Sequence, residues 1–178
     1  SGSAVFEYGQ FRLAADQDLI LHLQLSNFDE STEDWKQFAR ALTEYGYAVF
    51  CAWFGTGEIV KRLAAKNVRG RRSLPEPFVL HSKDAAHELA AELVIRGVKT
   101  FRTSVLLAGR WNLAGGASLK TYFIGHLLFQ VPDTFQRWAR QSGLDDLLTD
   151  DDATFEPQLR PGHTQPRGAA GRVEDAIV

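Results

Sequence analysis

Apolar residues recur along this chain mostly at helical spacing, and the elements follow from that pattern. Residues 4–14 alternate aromatic and polar positions around a glycine, which fits a short strand or an extended arm. Asp16 is expected to cap a short helix through Leu19, Ile20, Leu23 and Leu25, and Ser26-Asn27-Phe28-Asp29 reads as a turn. Ser31-Thr32-Glu33-Asp34 has the form of a helix start, with acids in the first turn where the helix dipole favours them. Trp35, Phe38, Leu42, Tyr45 and Val49 continue it, extended by Ala52 and Trp53. After Gly55-Thr56-Gly57, Thr56 is expected to cap a helix whose inner face is Ile59, Val60, Leu63 and Ala64. A basic loop from Lys66 to Arg72 and the run Leu74-Pro75-Glu76-Pro77 come next.

Ser82 is the next expected cap. From Asp84 to about Leu107 the alanine, leucine and glutamate content favours one long helix, with Leu89, Leu93, Val94, Val98, Phe101 and Val105 as its buried stripe. Gly97 weakens this helix without having to break it. Gly109 to Gly116 reads as a loop. A helix then starts at Ala117 or Ser118 and carries Leu119, Tyr122, Phe123, Leu127 and Leu128. Pro132 lacks a backbone donor, so a kink or a restart capped by Asp133 is expected, with Phe135 and Trp138 closing the element. After Gly143 the chain turns acidic, with five aspartates between Asp145 and Asp152, and then rich in polar residues, proline and glycine. The organisation expected is an all-α, compact bundle of about five to six helices over residues 16–142. An N-terminal arm or tag-derived segment precedes it at 1–15, and a flexible linker or tail follows at 143–178.

Composition narrows the function. Hydrophobic residues make up 44% of the 178, enough for a core, while 20 basic and 22 acidic residues leave a net charge of -2. Such a chain does not coat nucleic acid by bulk charge, so any contact must come from a local patch. Cys51 is the only cysteine; no intrachain disulfide can form, which fits a reducing, cytoplasmic setting. Its apolar run, Tyr47 to Phe54, predicts a buried core thiol with no cationic neighbour to activate it. No run reaches the ~18 apolar residues of a membrane helix, so no membrane association is expected. Ser1-Gly2-Ser3, the lack of methionine and the helix-like Gly171–Val178 suggest a piece of a longer protein.

Enzymatic signals are poor. Gly115-Gly116-Ala117-Ser118-Leu119-Lys120 lacks the spacing of a phosphate loop, and no two of the five histidines stand four apart on a helix. No catalytic residue, metal or cofactor is expected. One stretch does carry chemistry. Lys120, Tyr122 and Phe123 follow a glycine turn, and Arg137, Trp138 and Arg140 come about four turns later. Cations bind phosphates, and ring faces hold unstacked bases at ~1–3 kcal/mol each. Equally, Tyr122 and Phe123 can be core, Trp138 a plug at the helix end, and the cations ordinary solvent-facing groups.

From about Asp16 to Arg140 the chain resembles the second conserved region of bacterial RNA polymerase sigma factors, particularly the extracytoplasmic-function type. The resemblance lies in Asp18-Leu19-Ile20, in Leu42-Thr43-Glu44-Tyr45, in Ala86-His87-Glu88-Leu89-Ala90-Ala91-Glu92, and most specifically in Trp111 to Phe123. It implies a transcription initiation module that binds core RNA polymerase through Glu88 and Glu92. The same module would engage or melt the promoter minus-ten element, with Lys120, Thr121, Tyr122, Arg137, Trp138 and Arg140 on the single-stranded non-template strand. An anti-sigma protein is a further implied partner. Ala85 and Ala91 depart from the family's acid and glutamine, and Pro132 interrupts its continuous helix. The alternative is a helical adaptor or regulator that keeps the scaffold and binds a protein instead of promoter DNA.

Overall fold

Five helices carry the described chain, and each begins or ends where local chemistry dictates. A computed structural model describes residues 14–68, 74, 80 and 82–144. The expected arm at 4–14 falls outside them except for its last residue, as do the basic loop beyond Val68 and the tail from 145. Helix α1 spans 14–24, α2 Glu33–Thr56, α3 Glu58–Ala65, α4 Lys83–Phe101 and α5 Leu119–Gln141. No strand occurs among the described residues. No helix there is long and apolar enough to cross a membrane.

The starts of α2 and α4 follow side-chain capping. Thr32, one residue later than expected, caps α2 by accepting from the Trp35 amide. Ser31 cannot serve because its amide and hydroxyl both donate to Asp29 Oδ1, at 2.9 and 2.8 Å. Ser82 caps α4 as expected, accepting from Ala85 N. Between α2 and α3 the expected cap is displaced. The Thr56 hydroxyl donates back to Ala52 O at 2.8 Å, and Gly57, at φ 78°, ends one helix and opens the next. A left-handed residue there is most cheaply a glycine.

The core gathers on α4 and α5. Leu89, Leu93, Val94, Phe101, Phe123, Leu127, Val131 and Phe135 are all completely buried or nearly so. Phe50, Phe54 and Ile59 join them from α2 and α3. The long helix ends at Phe101, not Leu107, and passes into a π-helical turn, Arg102–Leu106. That turn widens the backbone just where Arg102 reaches across to the 25–28 turn. Its Nε donates to Phe28 O at 2.6 Å, and its guanidinium lies 5.8 Å from the Trp35 ring centre. Asn27 and Phe28 sit at positive φ (52° and 53°), a strained choice held by the buried Phe28 ring and by Arg102 on its carbonyl.

At Pro132 in helix α5, one of the two expected outcomes is excluded. The helix runs unbroken through Pro132, with no restart at Asp133. A mid-helix proline costs about 3 kcal/mol. Leu127, Leu128 and Val131 before it and Phe135, Trp138 and Ala139 after it are buried in one core. At ~1.5–3 kcal/mol for each large apolar side chain, that shared burial outweighs the lost backbone bond.

Candidate nucleic-acid interface

The start of α5 is built by four local devices and one from far away. Asn112 opens a 3-10 turn, Leu113–Gly115, by accepting from Gly115 N, and Gly116 at φ 72° closes it. The buried Trp111 donates its indole N–H to Ala117 O at 2.9 Å. Ser118 then caps α5, accepting from Thr121 N at 3.2 Å. The fifth device is Asp16. Expected to cap its own helix, it lies inside α1 and its Oδ2 accepts from Leu119 N at 2.9 Å. A carboxylate at a helix N-terminus also opposes the positive end of the dipole. These devices together fix the direction in which Lys120, Thr121 and Tyr122 leave the helix.

Thr121 and Tyr122 border two adjoining hollows that share Lys66, Thr121 and Gly125, and Lys120 stands beside the first, over Tyr45 on its wall. The first, about 480 Å³, lies between α2, α3 and α5, with Tyr45, Trp53 and Arg62 on its walls. The second, about 530 Å³, lies between α5 and the segment that leads into it, with Arg110, Tyr122, His126 and Phe129 around it. Among the described residues no aspartate or glutamate lines either one. Lys120 is exposed and its Nζ sits 5.0 Å over the Tyr45 ring. Tyr122 is half-buried, its ring 6.2 Å from that of Phe101, so its outer side faces the second hollow. Phe129 is 61% exposed, far more than a ring of that size needs to be.

His126 anchors the wall of the second hollow. Its Nε2 is 2.9 Å from Thr100 Oγ1 and 2.7 Å from Gln130 Nε2, which itself donates to the same hydroxyl at 2.7 Å. Burial lowers its pKa below the usual 6.5, and an amide donor on Nε2 suits the neutral ring as acceptor.

The other expected contacts lie elsewhere. Trp138 is 4% exposed and presents no ring face to a base; its indole N–H points at Glu88 Oε2, 3.4 Å away. Arg137 is half-buried, with Nη1 3.9 Å from Glu92 Oε1. The glutamates expected to meet the polymerase thus tie α4 to the end of α5, although Glu88 stays exposed and Glu92 partly so. Arg140 is exposed and borders a separate depression with Asp133, Arg137 and Gln141. It lies five helical turns from Tyr122, about 27 Å along the axis. Lys120, Thr121 and Tyr122 are therefore brought together; Trp138 is turned inward and Arg137 is drawn to Glu92, while Arg140 stands apart on the surface near the far end of the same helix.

Sequence reasoning missed Arg62, Lys66, Arg110, His126 and Phe129. For two of them a signal existed: Tyr122, His126 and Phe129 follow each other by four and three residues, a second stripe beside the core stripe of Phe123, Leu127 and Leu128. Arg62, Lys66 and Arg110 come from other elements, and no spacing points to them. Cys51 also differs from expectation. It is partly exposed, and its Sγ lies 3.4 Å from His87 Nδ1, which also contacts the Tyr47 hydroxyl. Burial still pushes the thiol up from its ordinary value, partly opposed by a hydrogen bond with Tyr47. Among the described residues, no group of three or more histidine, cysteine or acidic side chains could hold a metal ion.

The chain matches no family model, no curated protein and no solved structure.

Proposed function

We propose that this chain is a sigma-factor-like transcription initiation module of the cytoplasm. In this reading it binds core RNA polymerase and engages the separated non-template strand of a promoter minus-ten element. The observation that carries the reading is the groove along the first half of α5, where Lys66 and Arg110 stand beside Tyr122 and Phe129 with no acid on the described lining, and Lys120 stands at its edge over Tyr45. Phosphates would meet the cations and unstacked bases the ring faces, which is how single strands are held without duplex geometry. Opening a duplex costs a few kcal/mol for each flipped base, and stacking on an aromatic side chain returns a similar amount. The resemblance in the Trp111–Phe123 run lies on the segment that builds this groove. Glu88 and Glu92 keep exposed carboxylate surface on α4 and are the positions proposed to meet the polymerase, with Trp138 and Arg137 bracing them.

The test is anisotropy titration of a labelled single-stranded minus-ten oligonucleotide at several salt concentrations. Three cations on the strand predict a log–log salt slope of about -2, and replacing Lys66 and Arg110 together with glutamine should reduce it by about 1.4. A slope near zero, or one the double variant leaves unchanged, would remove the groove as a strand site. Capture of core polymerase by the tagged chain tests the other half, with Glu88→Ala and Glu92→Ala expected to weaken it. Failure of both assays, with a different protein retained, supports the adaptor reading instead.

A further inference from the structure

The hollow between α2, α3 and α5 has more definition than a strand track requires. Its floor is aliphatic, from the Val49 and Ala52 side of α2 and from Ile124 and Leu128 of α5. Two cations from the α3 segment, Arg62 and Lys66, stand at it, and Thr121 adds a hydroxyl. The Arg62 guanidinium stands over the Trp53 ring, 5.0 Å from its centre, and a planar guanidinium can present a face to a second planar group. Glu58 engages Arg62 at Nε, at 3.2 Å, and does not line the hollow. Lys66 has no ion-pair partner among the described residues. At about 480 Å³ the space falls within the range that encloses a small organic ligand.

We propose that this hollow binds a free planar aromatic anion of nucleotide size, with the ring between Trp53–Arg62 and the aliphatic floor and the phosphate at Arg62 and Lys66. The charge balance selects the class: two cations, no acid on the described lining, and an apolar floor too large for phosphate alone. A free nucleotide would share Lys66, Thr121 and Gly125 with the strand groove. The site would therefore regulate strand binding by competition. The inference does not require the promoter reading, since the hollow is defined by its own residues.

Adenosine monophosphate is the probe, titrated against the full chain while tryptophan emission is followed. Trp35, Trp111 and Trp138 are buried and Trp53 alone of the four is partly exposed, so the signal reports on this site. A saturable change is expected, at least about tenfold weaker for adenosine and absent for inorganic phosphate at the same concentrations. Arg62→Gln with Lys66→Gln should weaken it at least tenfold. Gly125→Leu should abolish it without unfolding the chain, because a Cβ at Gly125 meets nothing within 4 Å and the new side chain grows into the hollow. Circular dichroism and the melting temperature confirm folding for both variants. No saturable change, or one that both variants leave intact, overturns the proposal. Running the labelled oligonucleotide in parallel separates the two ideas. Strand binding without nucleotide binding sinks this inference alone, and nucleotide binding without strand binding supports it while sinking the promoter reading.

Discussion

Replacing Gly97 with alanine should destabilise this protein, although alanine is the better helix former by about 1 kcal/mol. The reason is Leu127. A Cβ on Gly97 would sit 1.9 Å from Leu127 Cδ2, whereas carbon atoms in contact settle at about 3.5–4.0 Å. The methyl cannot simply swing away. Its sister, Cδ1, already lies 3.2 Å from where a Cβ on Gly46 would be, and the whole side chain is buried. Leu127 is thus a knob held between a glycine on α2 and a glycine on α4, and relief requires α4 and α5 to separate. Overpacking of this kind costs about 1–3 kcal/mol and sometimes more. Set against the propensity gain, the net loss should reach about 2 kcal/mol, read as a Tm lowered by roughly 4–8 °C for a chain of this size. Gly125→Ala is the internal control, because its Cβ meets open space and only the propensity gain remains. Thermal and urea unfolding of both variants check the pair. Coupling can be read from Gly97→Ala combined with Leu127→Ala, which should cost less than the two separate losses added together. A Gly97→Ala protein as stable as the Gly125→Ala protein would refute the interlocked packing.

Burial holds His126 below its ordinary pKa of 6.5, so below that pH the unfolded chain takes up a proton that the folded chain resists. The unfolded state then holds more protons, and stability should fall as the pH drops below about 6.5, with a slope of at most ~1.4 kcal/mol per pH unit from this group. Subtracting the denaturation curves of His126→Gln should isolate that slope; identical pH dependence in the two proteins would contradict it. Asp16→Ala removes the carboxylate that caps Leu119 across the fold. It should cost about 1 kcal/mol, and protection of the α5 amide protons nearest Leu119 should drop by hydrogen exchange. Unchanged exchange there would show that Ser118 suffices alone.

Much of the fold was legible because helical burial leaves a period in the sequence. The stripes of α2, α4 and α5 fall where apolar residues recur by three and four, and caps such as Ser82 and Ser118 stand at their starts. The errors share a cause. Ser31, Asp16 and Thr56 have the right chemistry to cap, but Ser31 turned to Asp29 two residues back, Thr56 to the Ala52 carbonyl one turn back, and Asp16 to Leu119, a partner that only the folded chain supplies. Pro132 reads as a kink or a restart because its local cost is visible, and the burial that carries the helix through it is not.

The sequence by itself determined that this chain is helical, where its long helices run, and that residues near Gly116 carry cations and rings on an exposed turn. Only the tertiary structure decided which of these work together. It turned Trp138 and Arg137 inward onto Glu88 and Glu92, and it brought Lys66 from the end of α3 and Arg110 from the loop before α5 beside Tyr122. Periodicity records which side of a helix is buried, because burial acts on every turn of the same element. It does not record which neighbour covers that side, since that depends on how separate helices pack, and a binding surface is made from that packing.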